Sequence, residues 1–153
     1  MSNIKILSQY IKDLSFEVPS APGIFLQDNQ KPDINLSIDI DAKKITEEMV
    51  YEVTLKISAE AKSGEQNVFI CEASYSGIFL LTDISTDEIE QILLIYCPNI
   101  LFPFIRRIIT NIVIDGGFPP LMIEPINFAE LYQKRQEALQ NQANENDELG
   151  EPV

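Results

Sequence analysis

Histidine and tryptophan are both absent from this 153-residue chain. Without histidine the chain lacks the commonest general base near neutral pH and the commonest metal ligand. Two cysteines, Cys71 and Cys97, do not complete a zinc site without it, and two do not make a disulfide framework. Each lies among apolar neighbours and reads as a buried thiol, which suits a reducing cytoplasm. The six glycines fall in no dinucleotide or P-loop pattern, and no G-x-S-x-G elbow occurs. Gly116-Gly117 reads as a helix stop instead. Basic residues are scarce: 11 Lys and Arg face 24 Asp and Glu, a formal charge of −13. That charge opposes a nucleic-acid backbone or an anionic membrane surface as partner. It favours solubility and a basic partner surface. The imbalance is local too, because no Lys or Arg occurs between Lys62 and Arg106. Carboxylate pairs such as Asp39 with Asp41 sit on a wet strand face, not in an enclosed site that would shift their pKa. No enzyme and no cofactor are expected. Met1 to Tyr10 holds no continuous apolar stretch, so no signal peptide is expected. The apolar zone from Ile92 to Ile114 is broken by Pro98, Asn99, Arg106 and Arg107, so direct membrane insertion is not expected.

What the chain does contain is alternation. Leu14, Phe16 and Val18 alternate with Asp13, Ser15 and Glu17, which predicts a short strand. Pro19, Pro22, Gly23 and Pro32 bracket a long connection holding Ile24, Phe25 and Leu26. Loops of that length often carry function. Ile34, Leu36, Ile38 and Ile40 then alternate with Asp33, Asn35, Ser37, Asp39 and Asp41. A third strand sets Tyr51, Val53, Leu55, Ile57, Ala59 and Ala61 against Glu52, Thr54, Lys56, Ser58, Glu60 and Lys62. After the turn at Ser63-Gly64-Glu65, a fourth runs from about Gln66 to Leu81. It puts Phe69, Cys71, Ala73 and Tyr75 on one face, and Val68, Ile70, Glu72 and Ser74 on the other. Consecutive strands with short turns and one wet face predict an antiparallel meander.

Helices follow. Ser85-Thr86-Asp87-Glu88 is a capping box ahead of Ile89, Ile92, Leu93 and Tyr96. Cys97-Pro98 is expected to interrupt that helix, and Asn99 to cap a second one whose first turn tolerates Pro103. The second helix is apolar almost all round, with only Arg106, Arg107, Thr110 and Asn111 marking a polar side. Such a helix must be buried on most faces, and one sheet covers only one. Periodicity leaves a subunit interface and the central helix of a monomer equally open. Asn127-Phe128-Ala129-Glu130 is another capping box, before a stripe of Phe128, Leu131, Tyr132 and Leu139. Residues 140–153 carry no Lys or Arg and are rich in Asn, Gln and Glu. They read as a disordered acidic tail behind a folded domain of residues 1–139. Strands first and helices afterwards give the α+β class. The expected architecture is an antiparallel, meander-like, four-stranded sheet with C-terminal helices packed on one face, in a chain that forms oligomers.

The segment Tyr96-Cys97-Pro98-Asn99-Ile100-Leu101-Phe102-Pro103 precedes Gly117-Phe118-Pro119 and Pro125-Ile126-Asn127-Phe128. Asp13-Leu14-Ser15-Phe16-Glu17-Val18-Pro19 and Gly77-Ile78-Phe79 lie upstream of it. Together these motifs resemble the SecB family of bacterial protein-export chaperones, in one order over nearly the whole chain. The resemblance implies a cytosolic holdase that binds unfolded precursor proteins and passes them to the SecA ATPase. It implies a homotetramer, a dimer of dimers, with the apolar helix at its centre and Phe102, Ile105, Ile108, Ile109 and Ile112 in the interface. It assigns the motor contact to Asp13, Glu17, Ile70 and Glu72, residues whose two- and four-residue spacings put each pair on one strand face. Phe25, Ile34, Leu36, Ile38, Phe128, Leu131 and Tyr132 are the expected client groove, between the long loop, the second strand and the last helix. Extended apolar surface gains about 25 cal/mol per Å² on burial without demanding one shape. The family's usual loop tryptophan, near Asn29 and Gln30, is missing here. An alternative is a SecB-like chaperone dedicated to a single partner such as an antitoxin.

Overall fold

The alternating segments form one antiparallel sheet in the computed structural model, which describes residues 3–27 and 31–149. Strands β2 (Asp33–Thr46), β3 (Val50–Ser63) and β4 (Gln66–Thr82) make the expected meander. Strand β1 (Asn3–Glu17) lies beside β4, so the order is β1-β4-β3-β2. The connection 18–32 therefore carries the chain from one edge of the sheet to the other, as in a Greek key. β1 is much longer than its alternation predicts. Its register shifts between Ile6 and Ser8 and again between Ile11 and Asp13. Each shift inserts a residue and reverses which parity faces the core, which scrambles the pattern over residues 4–12. Only the stretch after the second shift keeps a clean period of two.

One face of the sheet carries the core. Val53, Leu55, Ile57, Ala59 and Ala61 of β3 are buried, as are Phe69, Cys71, Ala73, Phe79 and Leu81 of β4. Helix α2 (Cys97–Asp115) packs on these two strands through Leu101, Ile105, Ile109 and Val113, all completely buried. Their four-residue spacing sets them on one helix face. Small residues let the helix approach: a Cβ on Gly77 would come within 2.7 Å of the Phe79 ring and 3.0 Å of Leu101.

Cys97-Pro98 does not interrupt the helix, which is continuous over Thr86–Asp115. Between α1 (Thr86–Gln91) and α2 lies a π-helical segment, Ile92–Tyr96, where the Cys97 N–H donates to the Ile92 carbonyl, five residues back. The widened turn takes up the missing proline N–H. Asn99 is consequently no cap. It lies inside α2, and its Nδ2 donates to the Ile95 carbonyl at 2.9 Å. Pro103 is likewise inside the helix, not in its first turn. Ser85 makes no side-chain cap; the Glu88 N–H bonds its backbone carbonyl instead, at 3.0 Å. The second box does form in part, with the Glu130 N–H donating to Asn127 Oδ1 at 3.1 Å.

Helix α3 (Phe128–Leu149) also differs from expectation, because residues 140–149 continue it. No Gly or Pro interrupts that run, and Glu, Gln and Ala are good helix formers. Residues 140–147 stay exposed, and residues 150–153 lie outside the described ones. The helical run Thr86–Asp115 is long and apolar enough to cross a membrane, with a mean hydropathy of 1.6. Its buried stripe lies against the sheet, as in a core helix.

That packing corrects the expected interface. Phe102, Ile105 and Ile109 are 7%, 0% and 0% exposed within a single chain, so they are core residues. Ile108 and Ile112 are half-buried. The outward strip of α2 is Phe104, Arg107, Asn111 and Ile114. An unpaired carboxylate in the core costs several kcal/mol, against roughly 5–15 kcal/mol for a whole domain. Ile109→Asp should therefore abolish the cooperative thermal transition seen by circular dichroism, while Phe104→Asp keeps it. A native-like melt for Ile109→Asp would contradict the packing.

Candidate functional site

Residues directly opposite one another in a ladder share a sheet face. The register pairs Glu17 with Ile70, Ser15 with Glu72 and Asp13 with Ser74. Asp13, Glu17, Ile70 and Glu72 therefore lie together on the face away from α2. Asp13 and Glu17 are exposed, and Ile70 and Glu72 are half-buried. Glu60, opposite Ile70 on β3, extends the patch, with Lys62 at 3.6 Å. Glu60 was readable only once the β3–β4 register was known.

Further along the same face, Glu52 is only 8% exposed. Lys12 Nζ donates to it at 2.7 Å, Lys43 Nζ lies at 3.7 Å, and the Tyr10 hydroxyl donates to its other oxygen. Lys12 is the residue inserted at the second β1 register shift, which turns it toward Glu52. β4 is narrow here: Ser76, which bonds Thr54 at 2.8 Å, lets side chains of β1 reach β3 across it. The Lys12 hydrogen bond, then that of Tyr10, hold the Glu52 carboxyl below its ordinary range, against the opposing effect of burial. Burial, then Glu52 itself, push the Tyr10 hydroxyl up. The cluster staples three strands together. Sequence alternation misses it, because it marks Glu52 as a solvated position.

On the helix side, edge strand β2 extends past α2. Ile38 and Ile40 of β2, Leu94 of the π-helical segment, and Leu131 and Tyr132 of α3 line a groove of about 310 Å³. Asp39, Lys134 and Arg135 complete its lining. Arg135 donates to the Ile40 carbonyl at 3.3 Å, and Gln136 to Glu90 at 3.3 Å, so α3 is tied to both walls. Ile34 is half-buried and Leu36 is 41% exposed on the same face of β2. Desolvation, then Glu90, raise the Tyr132 hydroxyl pKa.

Phe25 sits apart from this groove. It stacks on Phe118 at 5.2 Å, and Phe118 meets Phe69 at 5.2 Å and Phe16 at 6.5 Å. The close approach requires Gly117, whose φ is +94° and where a Cβ would come within 3.0 Å of the Phe25 ring. Phe25 remains 48% exposed on top of this cluster. Phe128 is corrected to a core residue: it is 1% exposed and meets Phe102 edge-on at 6.1 Å. Of the expected groove residues, Ile38, Leu131 and Tyr132 are brought together. Ile40, Leu94 and Arg135 were missed, although Ile40 continues the β2 alternation. Asn29 and Gln30 lie outside the described residues. Burial pushes the Cys71 thiol up to about 11 and the Cys97 thiol to about 12, so both are inert near neutral pH.

A depressed carboxyl pKa contributes stability that is complete above the unfolded value, about 4.3 for Glu, and is lost as pH falls through the folded value. The urea midpoint should therefore drop as pH falls below about 4. Glu52→Gln should lower the midpoint at neutral pH and flatten part of that acid slope. An unchanged slope would show that the cluster contributes nothing.

The family model described as preprotein translocase subunit SecB matches residues 1–139. A protein-export protein SecB of Rhodopseudomonas palustris is 42% identical over 134 residues, 88% of this chain and 84% of that protein. The protein-export protein SecB of a Bradyrhizobium species is 45% identical, covering 88% and 82%. That of Rickettsia akari is 43% identical over 141 residues, covering 92% and 93%. Among solved structures, a Mycobacterium tuberculosis SecB-like chaperone in complex with a peptide from an antitoxin matches with a TM-score of 0.67 at 16% identity. The match covers 80% of this chain and 90% of that one, a likeness of fold.

Proposed function

The chain belongs to the SecB family, and from that premise we propose that it is a cytoplasmic, non-enzymatic holdase that binds unfolded precursor proteins and delivers them to the SecA ATPase. The carrying observation is an apolar groove lying open beside the edge strand β2, on the face opposite an acidic patch. Phe25, Ile34, Leu36, Ile38, Leu131 and Tyr132 form the client surface, with Ile40 and Leu94 added and Phe128 removed. Unfolded chains offer extended apolar segments to such a surface, and folded proteins keep theirs hidden. Asp13, Glu17 and Glu72 attract a basic surface of the motor, which speeds encounter, and Ile70 supplies the apolar anchor. The dedicated single-partner alternative shares the groove. The relatives at 42–45% identity favour the export reading over the likeness at 16%.

The two surfaces are separable by mutation. Tyr132→Asp should weaken binding of an unfolded precursor about tenfold, or roughly 1.4 kcal/mol, and leave SecA affinity unchanged. Glu72→Lys should do the reverse, with calorimetry as the readout. Salt should weaken the wild-type SecA contact, because the screening length shrinks from about 10 Å at 0.1 M to about 3 Å at 1 M. Wild-type SecA affinity of Glu72→Lys at low salt would reduce the patch to a solvated strand face.

The assembly is a homotetramer, a dimer of dimers. Two surfaces support this reading: the outward strip of α2, with Phe104 38% and Ile114 47% exposed, and edge strand β1, with Ile6, Leu7 and Ile11 at 42–49%. Light scattering should give the tetramer mass for the wild type and a smaller mass for Phe104→Asp with Ile114→Asp. A wild-type monomer at every concentration would contradict the assembly.

A further inference from the structure

Strand β1 is out of step with itself over one short segment. Asn3–Ile6 pair β4 in one register, Ser8–Ile11 are one residue out of step with them, and Asp13–Glu17 are out by one more. Leu7 and Lys12 are the inserted residues at the two joints. One step of register exchanges the two sheet faces. Residues 8–11 alone therefore run with inverted parity, with Gln9 and Ile11 on the helix side and Tyr10 on the wet side. Gln9 accepts from the Tyr75 hydroxyl at 3.4 Å, and Tyr75 stacks on Phe104 of α2 with ring centroids 5.7 Å apart. The segment thus joins the edge of β1 to the outward strip of α2. Apolar burial does little to hold it there. Ile11 is 49% exposed. A slide by one residue would set Ile11 opposite Ser76 and Lys12 opposite Tyr75, at an edge where a lysine stem lies on apolar surface with its head in water. What opposes the slide is Glu52. The Tyr10 hydroxyl donates to one of its oxygens and Lys12 Nζ to the other at 2.7 Å. Both donors belong to β1, and the slide would turn both to the helix side.

We infer that Glu52, acting through Tyr10 and Lys12, is the positioning residue that fixes the register of β1 over residues 8–11, and that β1 and the outward strip of α2 meet a second copy only in that register. The inference rests on the assembly reading above. Among the described residues β1 pairs with β4 alone, so a moving bulge breaks few ladder bonds. Glu52 is 8% exposed. In the slid register it would keep only Lys43, at 3.7 Å. A buried carboxylate stripped of its donors is costly, and that cost falls on the slid register alone. Glutamine has the same shape without the charge, so it removes most of the preference. Lys43 reaches Glu52 from β2 and has no bearing on the choice. In the slid register Ile11 leaves the helix side and Gln9 leaves Tyr75, which breaks the surface between Ile6 and Phe104.

The test combines light scattering with cross-strand nuclear Overhauser contacts on the full chain. The wild type should be tetrameric, with Ile11 directly opposed to Tyr75. Glu52→Gln should add a population with Ile11 opposed to Ser76, and its assembly should dissociate at least ~10-fold more readily. Lys12→Met, which leaves Glu52 in place and removes its nearest lysine, should show the same slide, and it carries the test should Glu52→Gln unfold. Lys43→Met should retain both register and mass. Deletion of Lys12 separates register from stability. Without the inserted residue Ile11 precedes Asp13 directly, and a regular ladder then pairs Ile11 with Tyr75 and Asp13 with Ser74 unaided. Glu52→Gln in that background should recover the wild-type mass. A role in stability alone predicts a further loss there, because the deletion removes another contact of the cluster. A single wild-type register in both Glu52→Gln and Lys12→Met overturns this inference, as does failure of the deletion to restore assembly, and either result leaves the assembly reading standing. A wild-type monomer at every concentration overturns the assembly reading and this inference with it.

Discussion

Leu101, Ile105, Ile109 and Val113 lie completely buried between α2 and the sheet, and the rest of the molecule is arranged around that seam. Its width is the constraint. Four strands at about 4.8 Å spread roughly 14 Å between the outermost axes, whereas one helix with its side chains is about 10–12 Å across. Centred on β3 and β4, a single helix leaves the helix-side residues of both edge strands partly uncovered. On β1 these are Ile6 and Ile11; on β2 they are Ile34, Leu36 and Ile38. The apolar surface open to partners is the remainder of the core packing.

The opposite face of the sheet is kept polar. Glu52, Tyr10, Lys12 and Lys43 tie β1, β3 and β2 together over the narrow part of β4, so this face needs no helical layer. At its other end the patch of Asp13, Glu17, Glu60 and Glu72 surrounds Ile70. A chaperone has to hold one chain while meeting a second protein, and a single sheet separates the two tasks by its own thickness.

Strands β2, β3 and β4 were readable because their alternation is uninterrupted, and the register then placed Asp13, Glu17, Ile70 and Glu72, the residues proposed for the motor contact, on one sheet face. β1 was readable only past its second register shift, because each inserted residue reverses the pattern. Pro98 looked like a break because a single sequence does not show that a π-helical segment precedes it. Phe102, Ile105 and Ile109 proved to be core residues for a related reason. α2 is apolar on two faces, and periodicity does not say which one the sheet takes. Phe128 belonged to the right stripe but sits under Phe102, a long-range contact that no local pattern reveals. Arg135 carried no signal at all, since its role depends on the outward carbonyl of Ile40.

The central claim is that the two faces of the sheet bind different partners independently. The most direct measurement is SecA affinity with and without a saturating unfolded precursor. The account predicts a ternary complex in which the precursor leaves SecA binding undiminished. One-for-one displacement of either partner by the other would contradict it.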